Sequence, residues 1–287
     1  MMTRTRDARI EQIIFSLLRM SAFLATGLLL LVLLLLLQSG HRVIDWQFLT
    51  SAWQHRTITE GGIFPAIVGS VYLGIGVMAI SFPLGLGTAT FLTEYSRNPH
   101  WKRVIELAIR NLAGVPSVVY GLFGLAVFVH LLSFGMSLFS AILTLSVMTL
   151  PWIVTASVEA LETVPQKFRE GSLALGATQW QTVRRVVLPA AMPGCITGGI
   201  IGIARALGET APIILVGATF YITHLPSSPF DKYMALPYHT FILATQHASP
   251  DAPAYAAGTA FVLIVLTFLL SICAIVLRFS FRQKKVW

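Results

Sequence analysis

Arg205 and Glu209 interrupt an otherwise apolar run from Gly194 to Pro212, and they stand four residues apart. At about 100° per residue, Gly194, Gly198, Gly202, Arg205, Glu209 and Pro212 fall within roughly 40° of one line on a helix. An ionised group in hydrocarbon costs about 3 kcal/mol or more, so this face must turn toward protein or water. One reading is chemical. A guanidinium offers permanently charged, planar donors that suit an oxyanion. Glu209 would then keep Arg205 from becoming a permanent anion trap, and could accept a proton from a protonated oxyanion. The other reading is a structural pair, neutralised across one turn, that locks helix packing. The residues alone leave both open.

A second constellation lies just upstream, from Arg169 to Pro189. Pro165 fits the first turn of a helix, where its missing N–H would be unpaired anyway. Gly176 can take the left-handed conformation that closes that helix. Thr178 and Gln181 have the capping-box spacing for a second helix, with Trp180, Val183 and Val187 on one side and Pro189 at its end. The expectation is two short helices at a membrane surface, presenting an apolar ridge flanked by arginines. Such a unit either docks into another protein or lies on lipid headgroups.

The remaining candidates point to ordinary packing. Cys195 and Cys273 lie in or beside apolar runs without metal-type spacing and read as small hydrophobes. His130, His224, His239 and His247 have no ligand spacing. Pro83, Pro116, Pro151 and Pro212 read as kinks, and the glycines of 85–87 and 121–124 as close-packing positions. Thr88, Thr90, Thr93 and Ser117 carry hydroxyls that in membrane helices usually bond their own backbone. Glu94 and Arg97 are expected to form a solvated pair beside a turn. No nucleophile sits in range of a base in the sequence, so no enzyme active site is expected.

The elements that must hold these residues follow from the apolar runs. Of 287 residues, 55% are hydrophobic and 11% charged, against about 25% charged in a soluble domain, so lipid is the expected solvent. Six segments are long enough to cross it: about 20–37, 66–92, 108–132, 136–157, 195–220 and 257–277. The first, preceded by Arg4, Arg6, Arg9 and Arg19, is too long for a secretory leader and reads as a retained helix. Sixteen of the 20 basic residues fall in the N-terminus, the loop at 97–110, the loop at 159–193 and the tail. The positive-inside rule then puts both termini and both basic loops in the cytoplasm. The net charge of +8 is therefore topological and implies no nucleic-acid partner. Trp46 and Trp53 suit the outer interface, and 223–249 reads as an outer loop.

With the residues in view, a resemblance emerges. Glu170, Gly171, Ser172, Gly176, Val186, Leu188 and Pro189 are similar to the EAA loop of ABC importer permeases. Gly and Ser stand where that family has two alanines, and Val stands for Ile. The words Arg205–Pro212 and Val115–Gly124 look like signatures of phosphate importer permeases, most like the PstA-type subunit. The resemblance implies an all-α, six-helix polytopic membrane protein with the type I ABC importer permease fold, in a bacterial inner membrane. Residues 1–64 would hold the first helix and an outer loop, 65–278 the permease core with its coupling loop at 165–189, and 279–287 a basic cytoplasmic tail. It implies a non-catalytic subunit without a cofactor of its own. ATP and Mg²⁺ would sit on a partner ATP-binding subunit, since the chain has no phosphate-binding Gly-x-x-x-x-Gly-Lys-Ser/Thr loop. A second similar permease and an extracytoplasmic phosphate-binding protein would complete the complex. Arg205, Glu209 and Thr210 would line the path for phosphate. Molybdate or sulfate is the alternative cargo. An ATP-independent secondary transporter predicts internal repeats and charges in several spans, and neither is visible.

Overall fold

In lipid, every backbone N–H and C=O must find a partner inside the protein, and helices are the local way to do it. The computed structural model describes residues 2–54, 58–96, 98–222 and 224–283. Among these the only β feature is an isolated bridge between Ala218 and Tyr233.

The helices, in chain order, are α1 (Met2–Gly40), α2 (Trp46–Thr50), α3 (Phe64–Thr90), α4 (Pro99–Ala113), α5 (Ser117–Gly124) and α6 (Leu138–Glu162). They are followed by α7 (Gln166–Ala174), α8 (Gln179–Thr182), α9 (Leu188–Gly208), α10 (Ala211–Val216), α11 (Leu236–Thr245) and α12 (Ala252–Gln283). Five continuous stretches are long and apolar enough to cross a membrane: 14–40, 64–95, 138–162, 179–208 and 252–276. A bent pair, α4 with the segment Ser117–Leu131, makes a sixth if its two halves count as one span.

α6 is the central pillar and packs against α3 on one side and α9 on the other. Its buried residues Leu145, Met148, Ile153 and Leu161 seed the core. α1 rests on α12 at the edge, with Leu24, Leu28 and Leu34 exposed. That is the placement expected of a lipid-facing helix.

Two expected spans change shape. The third was placed at 108–132, but the chain bends by 101° between α4 and α5. Gly114 caps α4 and Pro116 starts the next helix, so neither the caps nor the proline lets the first helix run on. α4 is amphipathic and ties to the end of α6 through Lys102, which reaches Glu162 at 3.6 Å. The fifth span was placed at 195–220, but α9 ends at Gly208 and Glu209 is extended, at φ −78° and ψ 126°. Pro212 explains the stop. In a continuing helix its ring would strike the carbonyl of Gly208, four residues back, and offer it no N–H.

Pro189 does the opposite of what its type suggests. It was expected to end the second loop helix, yet the chain stays helical from Gln179 to Gly208. The turn before it, Val183–Val187, is π-helical, and Pro189 sits in the first turn of α9. The widened turn absorbs a residue that cannot make the ordinary backbone bond. Two similar turns extend α3 (Phe91–Tyr95) and α5 (Leu125–Leu131).

Candidate functional site

The glycine face of α9 exists to meet α6. A Cβ on Gly198 would stand 2.6 Å from the Cβ of Ala156, and one on Gly194 2.5 Å from the Cβ of Ala160. Only glycine allows helices this close. Farther along the same line the contact opens, and Arg205 projects from the last turn of α9. Its Cζ lies 5.1 Å from the ring centroid of Trp152 on α6, within range of a cation–π attraction.

Glu209 was expected one helical turn above Arg205 on a continuous helix. It lies instead on the extended residue after α9, with its Oε1 still 3.5 Å from Arg205 Nε. The pair is a single loose contact, not a fork. The Arg205 side chain is 40% exposed and that of Glu209 18%, so the guanidinium keeps donors free for another acceptor. Thr210, half-buried, starts α10 beside them. Pro212 of that short helix meets α5, where a Cβ on Gly121 would stand 2.8 Å from the Pro212 Cα. The two sequence words, 115–124 and 205–212, are thus packed against each other.

Three of the four hydroxyls considered for a polar path bond their own backbone, as expected of membrane helices. Thr88, Thr90 and Thr93 donate to the carbonyls of Leu84, Leu86 and Ala89 at 2.8, 2.8 and 3.0 Å.

At the other end of α6 and α9 lies the loop. α7 closes on Gly176, whose φ of +86° is the left-handed conformation expected of it. Thr178 and Gln181 form the reciprocal capping box that opens α8. Of the residues in the loop motif, Glu170, Gly171 and Gly176 lie exposed at the turn. Ser172 Oγ is 2.9 Å from Thr182 Oγ1 and braces α7 on α8. Val186 and Leu188 are half-buried at the root, and Pro189 is exposed.

The ridge expected to dock elsewhere faces inward. Val183 and Val187 are fully buried, Val187 against Leu92, Leu161 and Ala191. Of that trio only Trp180 remains exposed, and it joins Phe168, Leu173 and Leu175 in an apolar rim around Gly176; Leu175 is 90% exposed. The reason is register: the helix does not stop at Pro189, so its inner face is set by α9 and continues the core.

The pair expected between Glu94 and Arg97 lies outside the described residues, but the surroundings of Glu94 are clear. Glu94 is 8% exposed and binds Arg169 through both carboxylate oxygens, at 2.7 and 3.2 Å. The two residues, 75 apart in sequence, wall a cleft of about 630 Å³ with Glu162, Gln166, Leu173 and Gln179. Nothing in the local spacing joins them. The available signal was Glu94 closing an apolar span with Arg169 beside the loop motif.

At the opposite end, His239 is packed rather than ligating. Its ring stacks on Phe220 at 4.9 Å and meets Trp53 edge-on at 4.4 Å. Burial, then the nearby His247, push its pKa down to about 3.

Three comparisons bear on this architecture. The family profile described as "Binding-protein-dependent transport system inner membrane component" matches residues 81–285. A "Probable ABC transporter permease protein YqgH" of Bacillus subtilis (strain 168) is 42% identical over 194 residues, covering 64% of this chain and 62% of that protein. The "Phosphate transport system permease protein PstA 1" of Mycobacterium tuberculosis (strain ATCC 25618 / H37Rv) is 36% identical over 229 residues, 78% of this chain and 72% of the relative. Among solved structures, a chain of a bacterial alginate ABC transporter, in complex with an alginate pentasaccharide-bound periplasmic protein, superposes with a TM-score of 0.67. It is 15% identical, with 94% of each chain covered, so the likeness is one of fold.

Proposed function

The chain belongs to the inner membrane components of binding-protein-dependent transport systems, and on that premise we propose that it carries inorganic phosphate into the cell. The chain is the membrane permease of an ABC importer. The observation that carries the phosphate reading is Arg205, a permanent cation left 40% exposed inside a membrane span and held by one loose carboxylate contact. Such a group must meet water, a second permease chain or an anion. The phosphate-transport name of the 36% identical relative supports the choice of anion.

In this reading Arg205, Glu209 and Thr210 border a path shared with a second, similar permease. One guanidinium contacts phosphate weakly and lets it leave, as conduction requires. Glu209 neutralises Arg205 between passages and accepts a hydrogen bond from the P–OH of a hydrogen phosphate. A binding protein outside delivers the anion. An ATP-binding subunit, holding ATP and Mg²⁺, grips the loop at Glu170–Gly176 from the cytoplasm, where both termini also lie. Its closure drives the loop, and α9 moves with it because α7 is braced on α8, which runs on into α9 as one helix.

The test is uptake of radiolabelled phosphate by the complex in proteoliposomes, against labelled sulfate and molybdate. ATP-dependent accumulation of phosphate over both competitors is the expected result. Preference for either competitor would replace phosphate as cargo and leave the permease assignment standing.

A further inference from the structure

Arg169 stands one residue before the loop's Glu170, outside every role given so far. Its Nε and Nη2 donate to both oxygens of Glu94 at 2.7–3.2 Å. Nη1 donates to the carbonyl of Val164 at 2.5 Å and Nη2 to that of Leu161 at 3.0 Å. One guanidinium thus joins three elements: the π turn that ends α3, the C-terminal end of α6, and α7. Gln179 of α8 adds a fourth by donating to the Glu94 carbonyl.

The geometry suits a stiff connection. Exposed ion pairs are screened and slip among several arrangements. Here the side chains are 14% and 8% exposed, and a planar fork on a carboxylate fixes orientation as well as distance. The apolar rim of Phe168, Leu173, Leu175 and Trp180 contributes none of these bonds. The contact surface and the connection behind it are therefore separate sets of side chains. α6, to which the fork is bonded, packs on both α3 and α9, and α9 carries Arg205 in its last turn.

We propose that Arg169 and Glu94 are positioning residues that carry displacement of the α7–α8 turn into α3 and α6. The inference rests on the reading of that turn as the contact with the ATP-binding subunit. Without the fork, α7 would pivot on its exposed turn and the push would dissipate in the cleft behind it.

The test compares Arg169→Gln, Arg169→Lys and Glu94→Gln in the assembled complex, reconstituted in proteoliposomes. Three quantities are read: ATP-binding subunit retained on purification, ATP hydrolysed, and phosphate taken up per ATP. Arg169→Gln and Glu94→Gln should retain the subunit and hydrolyse ATP, while uptake per ATP falls about tenfold. Arg169→Lys keeps the charge but not the fork, and should fall between them and the unaltered chain. Unchanged uptake per ATP in Arg169→Gln would overturn the proposal. So would loss of the ATP-binding subunit, which would put Arg169 in the docking surface itself. If neither Arg169→Gln nor Glu94→Gln accumulates in the membrane, the pair is a folding contact and the proposal fails. Absence of phosphate uptake by the unaltered complex strikes the cargo reading instead; hydrolysis stimulated by the loaded binding protein then replaces uptake as the coupling readout.

Discussion

The guanidinium of Arg205 lies over the ring of Trp152, 5.1 Å from its centroid, while its carboxylate neighbour Glu209 touches it only at Nε. An aromatic face attracts a cation without consuming its hydrogen-bond donors. Trp152 therefore steadies Arg205 while leaving its terminal nitrogens available. Arg205→Gln should lower phosphate uptake by about 10–100-fold, the worth of one charge-assisted hydrogen bond, with the complex still assembled. Proteoliposome uptake and subunit recovery check both halves. Normal uptake by Arg205→Gln would leave the pair a structural one.

Trp152→Leu makes the milder test of the same arrangement. Removing the ring should cost about 0.5–1 kcal/mol of attraction, a loss of about two- to fivefold in apparent phosphate affinity. Concentration-dependent uptake measures it. Trp152→Phe, which keeps an aromatic face, should recover part of the loss.

The turn at Gly176 makes a steric prediction. Its φ is +86°, while a Cβ there would meet nothing within 4 Å. Gly176→Val thus fails through the backbone alone, at about 1–2 kcal/mol. It should weaken retention of the ATP-binding subunit, whereas Gly176→Asn, which tolerates the left-handed region, should be milder. Pull-down of the subunit against salt separates the two.

Close approach makes a contrast between two glycines. A side chain on Gly198 would strike Ala156, but one on Gly87 has open space within 4 Å. Gly198→Leu should destabilise by about 1–3 kcal/mol and Gly87→Leu by much less. Thermal unfolding of the detergent-solubilised chain tests the difference.

His239 sets a pH dependence. Burial lowers its pKa to about 3, below the ordinary value of about 6.5, so the folded state prefers the neutral ring. Its contribution is whole above pH 6.5 and shrinks as pH falls from there toward 3, because the unfolded chain binds the proton first. At pH 5 the loss is about 2 kcal/mol. The melting temperature should fall between pH 7 and 5, and His239→Phe should flatten that slope. A slope unchanged in His239→Phe would assign the acid sensitivity elsewhere.

Much of this was legible because the signals were local. Apolar length gave the spans, and the capping box at Thr178–Gln181 and the glycine at 176 gave the loop. The glycine spacing along α9 gave the face that meets α6. The break at Glu209 was not read from the sequence, which took Pro212 as a kink in one span, although Pro212 blocks the carbonyl of Gly208. Yet Pro83 and Pro151 lie inside helices that continue, so proline type alone does not decide. The inward turn of Val183 and Val187 depended on whether Pro189 stopped a helix, and a π turn settled that. The Arg169–Glu94 fork joins residues 75 positions apart, which no periodicity within one element reaches.

The rim around Gly176 has a consequence for how the chain is made. Phe168, Leu173, Leu175 and Trp180 stand uncovered together at the turn. Exposed apolar side chains mark either an interaction site or, in a chain left without its partner, an aggregation and proteolysis liability. If the ATP-binding subunit covers this rim, as proposed above, a copy made in excess of that subunit should leave the rim bare and turn over faster than one in the complex.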